Sequence, residues 1–338
     1  MSVHALLPTR ELGTTGIRIT AVGFGAWAIG GGDWSFGWGA QEDANSIAAI
    51  GHALDRGINW IDTAAVYGLG HSEEVVRSAL GAVPLSDRPL VFTKGGLLWD
   101  EKDRMKPPLQ SLKPESIRRE CEASLRRLGV ERIDLYQFHW PDPETAVEDS
   151  WGEMIRLIEE GKVRAGGVSN FDAGLLKRCE RRRHVDSLQP PFSMIKRDVA
   201  GGEIPWCADH GTGVIVYSPM QSGLLTDSFD AGRVAQLPSD DWRRRAEEFQ
   251  EPKLGRNLAL RDALRPIAKR HGTTVSAIAV AWTLAWPGVS GAIVGARSPA
   301  QIDGWIDAAR LTLTPADFTE TTEAIKSTAA GTGPLQPG

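Results

Sequence analysis

The stretch QEDANSIAAIGHALDRGINWID, residues 41–62, decides the fold. Residues 41–56 carry Ile47, Ile50 and Leu54 at helical spacing. Gly57 follows, the residue with which a helix ends in left-handed conformation. Ile58-Asn59-Trp60-Ile61 then reads as a short buried strand that closes on a polar residue, Asp62. Helix, glycine, strand, polar strand end: that unit recurs along the chain.

The strand Leu90–Thr93 ends at Lys94. A helix over Pro114–Leu128 stops at Gly129, and the strand Ile133–Phe138 ends at His139. A helix over Ala146–Glu160 stops at Gly161, and Val163–Val168 runs to Ser169 and Asn170. A helix near Asp172–Arg183 leads to the strand Ser187-Leu188-Gln189. Ile204–His210 stops at Gly211, and Val214–Val216 runs to Tyr217. Two helical stretches, Leu258–Arg270 and Val275–Trp286, precede a last strand, Gly291–Val294, which leads to Gly295-Ala296-Arg297.

Ala21–Gly25 completes a set of eight strands, most of their ends about 20 to 45 residues apart. Right-handed crossovers at that spacing place the strands parallel, and eight units close into a (β/α)8 TIM barrel. An open doubly wound sheet is the runner-up. Arg10–Leu12 and Ile17–Ile19 flank Thr14-Thr15-Gly16 and read as an N-terminal β-hairpin covering the barrel floor. The reading is one barrel domain over residues 1–338, with a Gly/Pro-rich tail, 331–338, expected to fray. Three connections are long: Ala26–Ala40, Gly95–Lys113 and Met220–Asn257. All follow strands, so all rise from the C-terminal face; the third is expected to be mobile and to order over a ligand.

Composition narrows the function. Lys plus Arg number 38 against 43 Asp plus Glu, a net charge of −5, which argues against a nucleic-acid partner. Arg181-Arg182-Arg183 reads as a solvated helix end. Cys121, Cys179 and Cys207 lie far apart with no CxxC pair, which excludes a disulfide framework and a zinc site and fits a cytoplasmic protein. Met1–Gly13 has no apolar stretch of signal-peptide length, and Val275–Trp286 is too short to span a bilayer. No membrane contact is expected, and the chain is expected to be a monomer or weak homo-oligomer.

The barrel reading puts chemistry where the strands end. Those positions hold Asp62, Lys94, His139, Ser169, Asn170, Gln189 and Tyr217. Tyr67 follows Asp62 on a loop whose Ser72 reads as an N-cap. A lysine ammonium beside a phenol lowers its pKa, an aspartate holds the lysine, and the phenol then protonates a carbonyl oxygen as hydride arrives. His139 donates a second hydrogen bond. A structural Asp62–Lys94 ion pair is the competing reading of those two residues. No metal-ligand spacing competes. Gly23-Phe24-Gly25-Ala26-Trp27-Ala28 matches a dinucleotide fingerprint, but Ile29-Gly30-Gly31-Gly32-Asp33 cannot open the required helix. Trp27, Trp34, Trp99 and Trp140 stand on loops of the active face and could wall a pocket or simply pack there.

The run Asp62–Glu74, Lys94 after Val91-Phe92-Thr93, and Asp134–Trp140 resemble the aldo-keto reductases. So do Gly167–Phe171, Tyr217–Thr226 and Gly295–Gln301, in order along residues 8–325. The style is similar to the bacterial branch of inositol-locus and general-stress reductases. The resemblance implies reversible reduction of a small-molecule aldehyde or ketone by NADPH, giving an alcohol and NADP+. It implies a proton-donor Tyr67 assisted by Lys94 and Asp62, with His139 orienting the substrate. Ser169, Asn170 and Gln189 would hold the carboxamide, Tyr217 would stack on the nicotinamide, and Ala26 and Trp27 would lie beside its ribose. Ser218, Met220, Gly223 and Leu224 would meet the pyrophosphate. Gly295, Arg297 and Gln301 would meet the adenosine and its 2′-phosphate, with Lys253 or Arg256 as further charges. Gly304 and Trp305 stand where many members have an adenine-binding Glu-Asn pair. Two other readings stay open: a nucleotide-binding regulatory subunit resembling potassium-channel β-subunits, and a sugar or polyol dehydrogenase running mainly in the oxidative direction.

Overall fold

The computed structural model describes residues 7–337. The reading of the first six residues as free of a leader, and Gly338 of the tail, lie outside the described residues.

Twelve strands form among the described residues. β1 (Thr9–Glu11) and β2 (Arg18–Thr20) make the hairpin. β3 (Val22–Gly25), β4 (Trp60–Asp62), β5 (Leu90–Gly95), β8 (Ile133–Phe138), β9 (Val163–Ser169), β10 (Ser187–Gln189), β11 (Gly213–Tyr217) and β12 (Val289–Gly295) pair in parallel and close a barrel in that order. β6 (Leu97–Leu98) and β7 (Leu109–Gln110) form a small antiparallel ribbon within the connection after β5. The fold is therefore a (β/α)8 TIM barrel.

The helices are α1 (Asp43–Asp55), α2 (His71–Leu80), α3 (Pro114–Leu128), α4 (Val147–Glu159), α5 (Ala173–Glu180) and α6 (Glu203–His210). They continue with α7 (Ala231–Ala235), α8 (Lys253–Ala263), α9 (Arg265–Arg270), α10 (Val275–Leu284), α11 (Pro299–Asp303) and α12 (Pro315–Thr328). α3 starts and ends where its sequence signals place it, with Pro114 in the first turn and Gly129 at φ 65° after its end. Every residue of α10 is buried, which explains its apolar composition on all faces. The helical stretch expected over Leu258–Arg270 is two helices, α8 and α9, with Pro266 near the start of the second.

Trp60 and Phe92 fill the lower barrel together with Leu135, Ala165, Ile215 and Ile293. The Trp60 indole N–H donates to the Thr20 carbonyl at 2.9 Å. Gly23 makes room for that ring: a Cβ there would lie 2.1 Å from it. Leu12, Ile17 and Ile19 of the hairpin seal the floor from below. Arg10 fastens the hairpin by donating to the carbonyls of Leu284 and Val289, each at 2.9 Å.

The segment expected to fray is tied down instead. Buried Arg197 donates to the carbonyls of Met194, Ala330, Gly333 and Pro334, and its own N–H meets the Thr332 carbonyl at 3.0 Å. Gly331, at φ 63°, lies so close to Ile195 that a side chain there would collide with its carbonyl. The composition signalled disorder, but the backbone supplies the acceptors a buried guanidinium requires.

The long third connection is not an open loop. It folds into α7 and short 3-10 turns at Trp242–Arg245 and Glu247–Phe249, with Phe229, Leu237, Asp241, Arg243 and Phe249 buried. Its residues clasp the first connection. Trp242 N–H donates to the Gly37 carbonyl, and Arg245 donates to the Ser35 carbonyl.

Cys121, Cys179 and Cys207 are all free and buried, and burial pushes each thiol up to about 12. Among the described residues no helix is long and apolar enough to cross a membrane. Nor is there a group of His, Cys, Asp and Glu side chains that could hold a metal ion.

Candidate active site

β4, β5 and β8 bring three ionisable side chains to one end of the barrel. Alternation along β4 turns Asp62 to the same face as Trp60, so the carboxylate stands above the packed floor. Lys94 lies near the end of β5, and its ammonium is fully enclosed. It donates to Asp62 Oδ1 at 2.5 Å and to the Thr63 carbonyl at 2.9 Å, and it meets the Tyr67 hydroxyl at 3.4 Å. The ammonium also lies 5.1 Å from the centre of the Tyr67 ring. The His139 ring meets Tyr67 edge-on, with centroids 5.6 Å apart.

The chain from Tyr67 to Gly70 places the phenol. Gly68 and Gly70 have φ 62° and 103°, and Leu69 between them has φ 59°. Gly68 packs on Gly30, where a Cβ would lie 2.3 Å from the Gly30 carbonyl. Only glycine permits that approach, and it fixes the first connection against the tyrosine turn. Ser72 does not cap α2, since Gly70 precedes the helix. Its hydroxyl bonds to the Ala26 carbonyl and to Thr63 Oγ1, both at 2.9 Å, so it ties β3 and β4 together at the site.

Burial controls the ionisation. It pushes the Tyr67 phenol well above 10, with Asp62 adding to the rise. The expectation that Lys94 would lower this pKa is not met. Asp62 already neutralises the ammonium, and the loss of water outweighs what remains. Burial, then Lys94, pushes His139 well below 6.5, so its ring is neutral at physiological pH. Its Nδ1 is buried and has no hydrogen-bond partner among the described residues. Burial also raises Asp62 and lowers Lys94, while their contact opposes both shifts. Three N–H donors surround Asp62, from Lys94, Gln189 and Gln137, a setting that suits an ionised carboxylate.

Ser169, Asn170 and Gln189 meet at the ends of β9 and β10. Ser169 Oγ donates to the Gln189 carbonyl at 2.8 Å. Asn170, in left-handed conformation at φ 61°, donates to the His139 carbonyl and accepts from the Tyr217 hydroxyl at 2.9 Å. The turn after β11 is strained, with Ser218, Gln221 and Ser222 all at positive φ. Leu224, expected beside the pyrophosphate, is fully buried, backbone included.

A model of the Aldo/keto reductase family matches residues 21–326. The chain belongs to the aldo-keto reductase family. It is 33% identical over 322 residues to "Aldo-keto reductase YhdN" of Bacillus subtilis (strain 168), covering 94% of this chain and 93% of that protein. It is also 33% identical to "NADH-specific methylglyoxal reductase" of Escherichia coli (strain K12), over 93% of this chain and 98% of that one. The glycerol dehydrogenase AKR11B4 from Gluconobacter oxydans superposes with a TM-score of 0.86 at 35% identity, covering 99% of this chain and 98% of the other.

In this aldo-keto reductase the first connection adds an aromatic wall. Trp27 stacks on Tyr67 at 6.1 Å and on Trp242 at 5.1 Å, and it meets Trp38 edge-on at 5.3 Å. Trp34 is buried behind this wall, Trp99 packs beside it, and Trp140 is exposed. Trp38 and Trp242 were not legible as site residues. Trp38 is one more aromatic in a glycine-rich loop, and Trp242 is more than two hundred residues from its partners.

The last strand leads to Arg297, whose guanidinium is already engaged. It donates to Gln41 Oε1 at 2.7 Å and to the carbonyls of Trp38 and Ala40, and its N–H meets Gln301 Oε1 at 2.7 Å. Burial pulls its pKa down from the usual arginine value, as does the nearby Arg243. Arg243 forms a two-pronged pair with buried Asp241 and lies 4.5 Å over the Trp38 ring. Lys253 pairs with Glu247 and shares a separate cleft with Arg256 and Lys196. Trp305 is buried in the core.

These residues fit a nicotinamide dinucleotide. Arg243 and Arg233 both act on Arg297 as like charges, and Asp241 opposes them.

Proposed function

We propose that this aldo-keto reductase reduces aldehydes or ketones to alcohols with NADPH, using Tyr67 as the proton donor. The observation that carries this reading is the enclosed Lys94 ammonium, held by Asp62 and Thr63 within 3.4 Å of the Tyr67 hydroxyl. A phenol kept neutral by burial is an available acid. When bound, the reduced nicotinamide supplies the hydride. Ser169, Asn170 and Gln189 hold its carboxamide, and the strained turn at 218–223 offers backbone to the phosphates. Tyr67 and the neutral imidazole of His139 converge on the carbonyl oxygen. Lys94 stabilises the phenolate that remains after proton transfer, and Asp62 fixes Lys94 in place.

The pKa directions give a pH test. Tyr67 lies above 10 and His139 below 6.5, so neither changes charge between those values. The kcat for reduction should be flat across that window. Oxidation requires the phenolate as base, so its kcat should rise with pH. A reductive profile that falls with an apparent pKa below 9 would show that Lys94 has overcome burial.

A second reading, polyol oxidation at the same site, draws on the similarity to a glycerol dehydrogenase. The two directions share one set of residues. Initial rates on glycerol with oxidised cofactor, beside methylglyoxal with reduced cofactor, separate them.

The cofactor preference is proposed from Arg297 and its cationic neighbours, although one relative is named NADH-specific. A hydrogen bond to a charged group contributes about 1.5–3 kcal/mol. Arg297 already serves three acceptors of the first connection, so the low end applies. In Arg297→Ala the kcat/KM ratio of NADPH to NADH should fall about tenfold. An unchanged ratio would place recognition of the 2′-phosphate elsewhere, with Arg233 the next residue to test.

A further inference from the structure

Gln137 lies on β8, two residues before His139, and is fully buried inside the barrel. A fully buried amide in a core layer of apolar side chains is costly unless its polar atoms are used. Its Nε2 points to Asp62 Oδ2 at 3.5 Å, and its Oε1 lies 3.3 Å from Gln189 Nε2. Gln189 Nε2 also donates to Asp62 Oδ2 at 2.8 Å. The carboxylate accepts only, so the atom of Gln189 nearest to it must be the nitrogen. Gln189 has two amide hydrogens. Asp62 takes one and Gln137 takes the other.

We propose that Gln137 is a positioning residue that, together with Asp62, occupies both amide hydrogens of Gln189, so that Gln189 presents only an acceptor, Oε1, to the ligand. This rests on the reading of Gln189 as a carboxamide contact. With its donors spent, Gln189 selects a ligand group that offers an N–H. The nicotinamide carboxamide has one; the methyl ketone of 3-acetylpyridine does not. Gln137 itself touches no ligand. Without its Oε1, the second Gln189 hydrogen has no partner, and the amide gains freedom to turn or shift toward a ligand carbonyl.

The test is direct binding, followed by quenching of tryptophan fluorescence, of NADPH and its 3-acetylpyridine analogue. One neutral hydrogen bond corresponds to a factor of about 2 to 12, so the wild type should bind the analogue about fivefold more weakly. In Gln137→Met that discrimination should fall below about twofold. The readout is the ratio of the two affinities, which a mere filler of volume leaves unchanged because it acts on both dinucleotides alike. Full discrimination in Gln137→Met overturns the proposal. Equal binding of both dinucleotides by the wild type overturns it too, while leaving the carbonyl-reductase reading intact. If the wild type binds neither dinucleotide, the nicotinamide reading itself falls and this inference with it.

Discussion

Tyr67→Phe should lower kcat for carbonyl reduction by about 10²–10⁴-fold, the contribution expected of one positioned general acid. That corresponds to about 3–5 kcal/mol of transition-state stabilisation. The substitution removes a single oxygen. Its ring still stacks on Trp27 and meets His139 edge-on, so the aromatic wall survives. The lost contact with Lys94 is long, at 3.4 Å, and Lys94 keeps Asp62 and the Thr63 carbonyl. Cofactor binding should therefore stay within about twofold of wild type, because no predicted binding contact is lost. Fluorescence titration and single-turnover kinetics separate the two effects. A variant with comparable kcat would remove Tyr67 from the reaction.

Lys94→Met should lose activity on a similar scale, and it should also destabilise the fold. The two consequences have different causes. Activity falls because the phenolate left by proton transfer has no cation beside it. Stability falls because Asp62 remains buried with only two amide donors, and breaking a buried pair from one side costs about 3–5 kcal/mol. The double variant Asp62→Asn/Lys94→Met removes the stranded charge and should recover much of the melting temperature without recovering turnover. If the single variant keeps both its melting temperature and its rate, the pair is neither a structural nor a chemical centre. If the double variant is as unstable as the single one, the cost arises from packing rather than from charge.

The strand ends were legible because each unit carries its own local signals. A glycine after the helix, a short apolar run and a polar residue mark Asp62 and His139 without knowledge of any partner, and the apolar run with its polar end marks Lys94 and Gln189. The aromatic wall was legible only in part. Trp27 follows β3 directly, but Trp242 reaches it through a connection whose path no local pattern sets. Ser72 has the chemistry of a cap, yet the left-handed Gly70 starts α2 and releases the hydroxyl to bind Ala26 and Thr63. The pKa of Tyr67 was misjudged in direction, because one neighbouring charge was weighed without the burial that surrounds it. Gln137 appeared inside a motif, but its role depends on three strands meeting. Arg297 was placed correctly at the end of β12, while its occupation by Gln41, Trp38 and Ala40 depends on how the first connection folds back.

Arg10 and Arg197 act alike on segments near opposite ends of the chain. Each holds a terminal segment by donating to backbone carbonyls, at 284 and 289 for the hairpin and at 330, 333 and 334 for the final turn. Both segments lie outside the 21–326 span that the family model matches. A carbonyl is common to every amino acid, so these acceptors leave no residue signature. Drift in side chains along the final turn costs little, provided that Gly331 keeps its place against Ile195 and Arg197 remains. Alignment by residue identity will therefore undervalue them, and their inheritance is better traced by the donor arginine than by the stretch it holds.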